Sequence, residues 1–115
     1  LLMIAGSLGL LSVALGAFGA HALKDLLSQY GRTDTFELGV RYQMYHALVL
    51  LFLGLDKGRQ HGVSGILFLT GVFLFSGSLY YLSLTNSTAL VLITPIGGTF
   101  LIAAWASLLW RFYKS

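Results

Sequence analysis

Residues 63–84 read VSGILFLTGVFLFSGSLYYLSL, twenty-two in succession without an acidic or basic side chain. A helix rises about 1.5 Å per residue, so about 20 apolar residues cross the roughly 30 Å hydrocarbon core of a bilayer. A helix apolar on every side would need a thick protein shell in water, and 115 residues cannot build one. Working outward, residues 1–23, 36–55 and 89–110 are comparable runs, and of the eleven charged residues only Glu37 and Arg41 fall inside any of the four. The chain is 57% hydrophobic and 10% charged, against about 25% charged in ordinary soluble domains. That composition excludes a soluble enzyme, a disordered chain and a nucleic-acid-binding module. With no cysteine, disulfides, thiolate metal sites and thiol nucleophiles are excluded too. The expected fold is all-α: a single four-span integral membrane domain, an up-down-up-down helix bundle over residues 1–115.

The first run competes with a cleaved signal peptide, because Ala20-His21-Ala22 has a small-x-small form. Signal h-regions run about 7–15 residues behind a basic flank; this run is longer and has no such flank. Because the first residue is Leu1, a short preceding piece is expected. Lys24 to Tyr30 reads as an interfacial helical turn ended by Gly31, a left-handed cap. Asp34 with Glu37 reads as a capping box opening the second span. Residues 56–62 and 85–88 are polar turns, short enough to force antiparallel neighbours. The termini and the 56–62 turn then share a side carrying Lys57, Arg59, Arg111 and Lys114, against Lys24, Arg32 and the shallow Arg41 opposite. By the positive-inside rule both termini are expected in the cytoplasm of a bacterial inner membrane.

Small residues mark packing faces, since they let membrane helices approach closely. In the first span Ala5, Gly9, Ser12, Gly16, Gly19 and Ala20 form a stripe, read either as intramolecular packing or as an intersubunit seam. Ser64, Gly71 and Ser78 repeat the device in the third span. Polar groups gather in the leaflet opposite the termini. Counted from that end, Arg41 lies roughly 7 Å in, Gln43 roughly 10 Å, His46 roughly 15 Å, and Ser78 and Pro95 roughly 9 Å. Gln43 and His46 share one face of their helix with Gly39, Leu50 and Gly54, and Tyr42 flanks it. The candidate site is therefore a polar intramembrane pocket of His46, Gln43, Tyr42, Arg41, Ser78, Thr94 and Pro95. Against it stands a structural reading: His46 as a neutral imidazole joining helices, and Arg41 snorkelling to head groups or pairing with Glu37 one turn earlier.

Thr94-Pro95-Ile96-Gly97-Gly98 is expected to kink or break the fourth span, because proline cannot donate its backbone bond and crowds the preceding turn. Broken helices line transporter sites; most membrane prolines only kink. Trp105, Trp110, Phe112 and Tyr113 read as an aromatic belt. His21, His46 and His61 lack ligand spacing, so no metal and no cofactor is expected, and no catalytic set assembles.

Four ordered segments carry a family resemblance: residues 16–24 (GAFGAHALK), 40–48 (VRYQMYHAL), 75–80 (FSGSLY) and 93–98 (ITPIGG). Together they resemble the bacterial membrane family called domain of unknown function 423, with transmembrane protein 256 as its eukaryotic relative. Ala22 stands where members usually carry glycine. The resemblance implies a small four-span membrane protein and supplies no activity. The leading expectation is a non-enzymatic protein in the lipid bilayer, acting as a homo-oligomer or a subunit of a larger membrane complex, with no nucleic-acid partner. The alternative is a ligand-, lipid- or ion-handling protein, a minimal transporter or binder using the polar pocket.

Overall fold

A computed structural model describes residues 1–58 and 61–114, with Ala20 described by its backbone alone. Arg59, counted above on the side of the termini, lies outside the described residues. The chain opens with α1 (Leu2–Ala14), passes through a π-helical turn (Leu15–Gly19) and continues as α2 (Ala20–Ala22). Then follow α3 (Lys24–Tyr30), α4 (Thr33–Leu55), α5 (Gly62–Thr85) and α6 (Ile93–Lys114). Among the described residues four segments are long and apolar enough to cross a membrane: Leu2–Gly19, Thr33–Leu55, Gly62–Thr85 and Ile93–Lys114. The protein is an all-helical, four-span membrane protein.

Local chemistry sets the helix ends. Gly31 takes φ 66°, and the Gly31 and Arg32 amides return to the Ser28 and Leu27 carbonyls. This satisfies acceptors that the end of α3 would otherwise leave open. The Asp34–Glu37 capping box does not form. α4 starts earlier than expected, at Thr33, with Arg32 at the cap and no side-chain capping bond. Asp34 instead sits in the first turn, where the positive end of the helix dipole favours it. Asn86 ends α5 at φ 54°.

The start of α6 corrects the sequence reading most. Residues 89–92 belong to the connection, and Ile93 begins the helix. Pro95 is its third residue, in the turn whose amides have no intrahelical acceptor. A proline there loses no helix bond, so it marks a helix start, and the expected break across residues 94–98 is absent: helix runs on to Lys114.

Helices pack in sequence order: α1 on α4, α4 on α5, α5 on α6. Among the described residues neither α1 nor α4 makes backbone contact with α6, and the Cα extents of 50 × 27 × 16 Å describe a shallow layer. The N-terminus, the turn before α5 and the end of α6 lie at one end, as Leu2 against Gly54 and His61 against Phe112 show. Ser64, Gly71 and Ser78 all face α6. Ser64 bonds Ser107 at 2.8 Å, Ser78 bonds Thr94, and a Cβ on Gly71 would stand 3.0 Å from the Leu101 amide nitrogen. Gly97 meets the Phe75 backbone more closely still. The first-span stripe divides. Ala5 and Ser12 are buried, Gly16 faces Val40 and Gly19 faces Phe36, but Gly9 meets nothing within 4 Å.

Candidate functional site

Most polar side chains of the span interiors are spent in separate interhelical bonds, while Ser12 and Ser83 return to the Leu8 and Leu79 carbonyls of their own helices. Gln43, on the buried face of α4, donates through Nε2 to the Leu8 carbonyl of α1 at 2.9 Å. Its Oε1 accepts from the Tyr80 hydroxyl of α5 at 2.6 Å. One amide thus ties three helices. Ser76 adds a second α5–α4 link to the Gly39 carbonyl at 2.7 Å, next to the close approach of Gly39 and the Tyr80 ring.

His46 is buried too, 4% exposed, so it does not face lipid. Its partner is Trp105, whose indole N–H donates to Nε2 at 3.2 Å. Indole can only donate, so Nε2 must accept and Nδ1 must carry the proton. Nδ1 then donates to the Tyr42 carbonyl at 2.7 Å. Both nitrogens are satisfied in a neutral imidazole, which packs against Phe68 at 5.7 Å between centroids. Trp105 therefore leaves the aromatic belt assigned to it by sequence and becomes the bridge from α6 to α4. Trp110 and Tyr113 stack near the helix end, with Lys114 over the Trp110 ring.

The seven predicted site residues are therefore distributed. Ser78 and Thr94 bond each other across α5 and α6; Gln43 faces α1 and Tyr80. Arg41 and Pro95 are exposed. Tyr42 and His46 share a cavity, a groove of about 560 Å³ open to the side between α4 and α6. Tyr42 stacks on Phe75 at 4.7 Å; Tyr45, Leu101, Ile102 and Trp105 complete most of its wall. Sequence reasoning missed Trp105 and Tyr80 as partners. A depth count would have paired Trp105 with His46 had α6 been started at Ile93.

His61 bonds Asp56 at 2.8 Å between α4 and α5, and its ring lies against Phe52 and Phe112. Among the described residues no three His, Asp or Glu side chains gather as metal ligands, and no hydroxyl bonds a histidine. What this arrangement does is hold helices together and leave an apolar, aromatic-walled groove open to the side between α4 and α6.

Fold and interior define a small polytopic α-helical membrane protein. Residues 15–98 match the family described as "Protein of unknown function (DUF423)". A UPF0382 membrane protein of Staphylococcus haemolyticus is 43% identical, covering 99% of this chain and 96% of its own. One from Haemophilus influenzae is 39% identical, covering 93% and 88%. The Escherichia coli UPF0382 inner membrane protein YgdD is 35% identical, covering 95% and 86%. The chain belongs to this family of membrane proteins of unknown function, as the four sequence segments implied. No solved structure matches it.

Proposed function

We propose that this chain is a non-enzymatic protein of the bacterial plasma membrane that works through its helix faces, as a homo-oligomer or as a subunit of a larger complex. The observation that carries this reading is the open layer. Interior polar groups are occupied in bonds within and between helices, while Gly6 and Gly9 of α1 meet nothing within 4 Å and present a smooth face to a neighbour. The test is the mass of the protein in mild detergent by light scattering. Gly9→Leu should shift it to a smaller species with helix content intact. Gly16→Leu, which meets Val40 of its own chain, should disturb folding instead. A wild type that stays monomeric at every concentration rejects the homo-oligomer.

A second reading rests on the α4–α6 groove. Its aromatic wall and lateral opening suit a lipophilic ligand, such as a quinone or lipid head group entering from the bilayer. Ile102→Trp would fill the groove from an exposed position and should displace a co-purifying lipophile in mass spectrometry; retention of that molecule argues against the groove. The basic residues favour cytoplasmic termini. Lys57→Cys should then be shielded from an impermeant thiol reagent in intact cells and Ser87→Cys labelled; the opposite pattern reverses the orientation.

A further inference from the structure

A notch of about 170 Å³ lies between the π-helical turn and α4, lined by Gly16, Phe36, Glu37, Val40 and Arg41. Its floor exists because residue 16 has no side chain: a Cβ there would already touch Val40 at 3.4 Å. Its rim carries two opposite charges, both exposed. Glu37 and Arg41 are one helical turn apart, in the order that favours an intrahelical ion pair. Yet neither has an ion pair or side-chain hydrogen bond among the described residues. By helix rise Glu37 stands roughly 6 Å and Arg41 roughly 12 Å below the start of α4. The Glu37 backbone is thus nearer the water, and the Arg41 backbone one helical turn deeper.

We infer that this notch holds the head group of a zwitterionic aminophospholipid, its phosphate on Arg41 and its primary ammonium on Glu37. A phospholipid carries its phosphate on the chain side and its amine on the water side, matching the order of the two residues along α4. Guanidinium offers a planar fork of N–H donors to phosphate oxygens, and a carboxylate accepts charge-assisted bonds from a primary ammonium. Phosphatidylcholine has no N–H for Glu37. Phosphatidylglycerol satisfies Arg41 but sets an uncharged glycerol against the carboxylate. The site is separate from the helix faces and the groove considered above.

The test is native mass spectrometry of protein released from nanodiscs of equal phosphatidylethanolamine, phosphatidylcholine and phosphatidylglycerol. Wild type should retain phosphatidylethanolamine at least about threefold over each of the others, corresponding to roughly 0.7 kcal/mol. Glu37→Gln should abolish the preference over phosphatidylglycerol while lipid stays bound. Arg41→Gln should lose bound lipid of every class. Circular dichroism confirms that both exposed substitutions leave the helices formed, and wild type with Glu37→Gln suffices if Arg41→Gln fails to fold. Equal retention of the three lipids, a wild-type preference for phosphatidylglycerol, or unchanged selectivity in Glu37→Gln overturns the assignment.

Discussion

Gly97 and Gly98 are adjacent on α6 and differ in one respect, which makes their alanine variants a controlled pair. A Cβ on Gly97 would fall against the Phe75 amide nitrogen, with the Leu74 carbonyl carbon and Phe75 Cα both at 2.9 Å. These are backbone atoms of α5, which no rotamer change can move. A Cβ on Gly98 would meet the Phe75 ring at 3.8 Å, ordinary van der Waals contact. In both variants alanine improves helix propensity, by up to about 1 kcal/mol. Taking the difference between them largely cancels that gain. What remains is the cost of driving α5 and α6 apart, and overpacking of a close contact costs about 1–3 kcal/mol. Gly97→Ala should therefore be less stable than Gly98→Ala by that amount, about 5- to 140-fold in the unfolding equilibrium. Reversible unfolding in mixed micelles, followed by far-UV circular dichroism, measures it. Gly98→Ala should match or exceed wild type. Equal stability of the two variants would refute the backbone-to-backbone approach of α5 and α6.

His46→Ala, Trp105→Phe and the double variant should give a coupling energy of about 0.6–1.7 kcal/mol, between the average and the maximum found for interhelical bonds in membranes. A coupling of zero would remove the indole–imidazole bond as a link between α4 and α6. Pro95→Ala should change stability by less than about 0.5 kcal/mol, because no helix bond is missing in the first turn. A gain of about 3 kcal/mol would instead mark an interior kink. Gln43→Leu should destabilise by about 1–3 kcal/mol, since it leaves the half-buried Tyr80 hydroxyl without its acceptor, while the Leu8 carbonyl keeps the Ser12 hydroxyl. Stability equal to wild type would show that the three-helix tie carries no weight.

The spans were legible because apolar length is a one-dimensional property and the membrane sets its scale. Side-chain partners depend on register, which that property does not carry. Ala89, Leu90, Val91 and Leu92 are as apolar as the helix that follows, so counting them into the fourth span displaced every depth on α6 by four residues. That displacement puts Trp105 at the membrane surface and leaves Gln43, Ser78 or a tyrosine hydroxyl as the partners sequence offers His46, in place of Trp105. From the true helix bounds, His46 lies nine positions before Leu55 and Trp105 nine positions before Lys114. Two helices running the same way thus bring the groups to one depth. Pro95 was the available signal. By sequence it fits a breaker inside a helix, and its tolerance in a first turn fits a helix start equally well.

Polar residues on one face at similar depths suggested a shared pocket, but depth and phase do not specify which neighbour each group meets. Gln43 and His46 are less than one turn apart, and yet one turns to α1 and Tyr80 and the other to Trp105. The reason is the layer. In a closed bundle every inward side chain converges on one axis. Here α4 has α1 on one flank, α5 behind it, and α6 reaching it only by side chains. Inward groups consequently separate into pairwise bonds, and no common site forms around an axis. The same geometry leaves the groove between α4 and α6, because Trp105 bridges that gap at one level and no backbone closes the rest. The arrangement that disperses the polar residues is therefore the one that creates a lateral opening. A second copy or a lipophilic ligand would meet the protein across its faces and flanks, and the bonds around His46 and Gln43 would set the shape it meets without having to contact it.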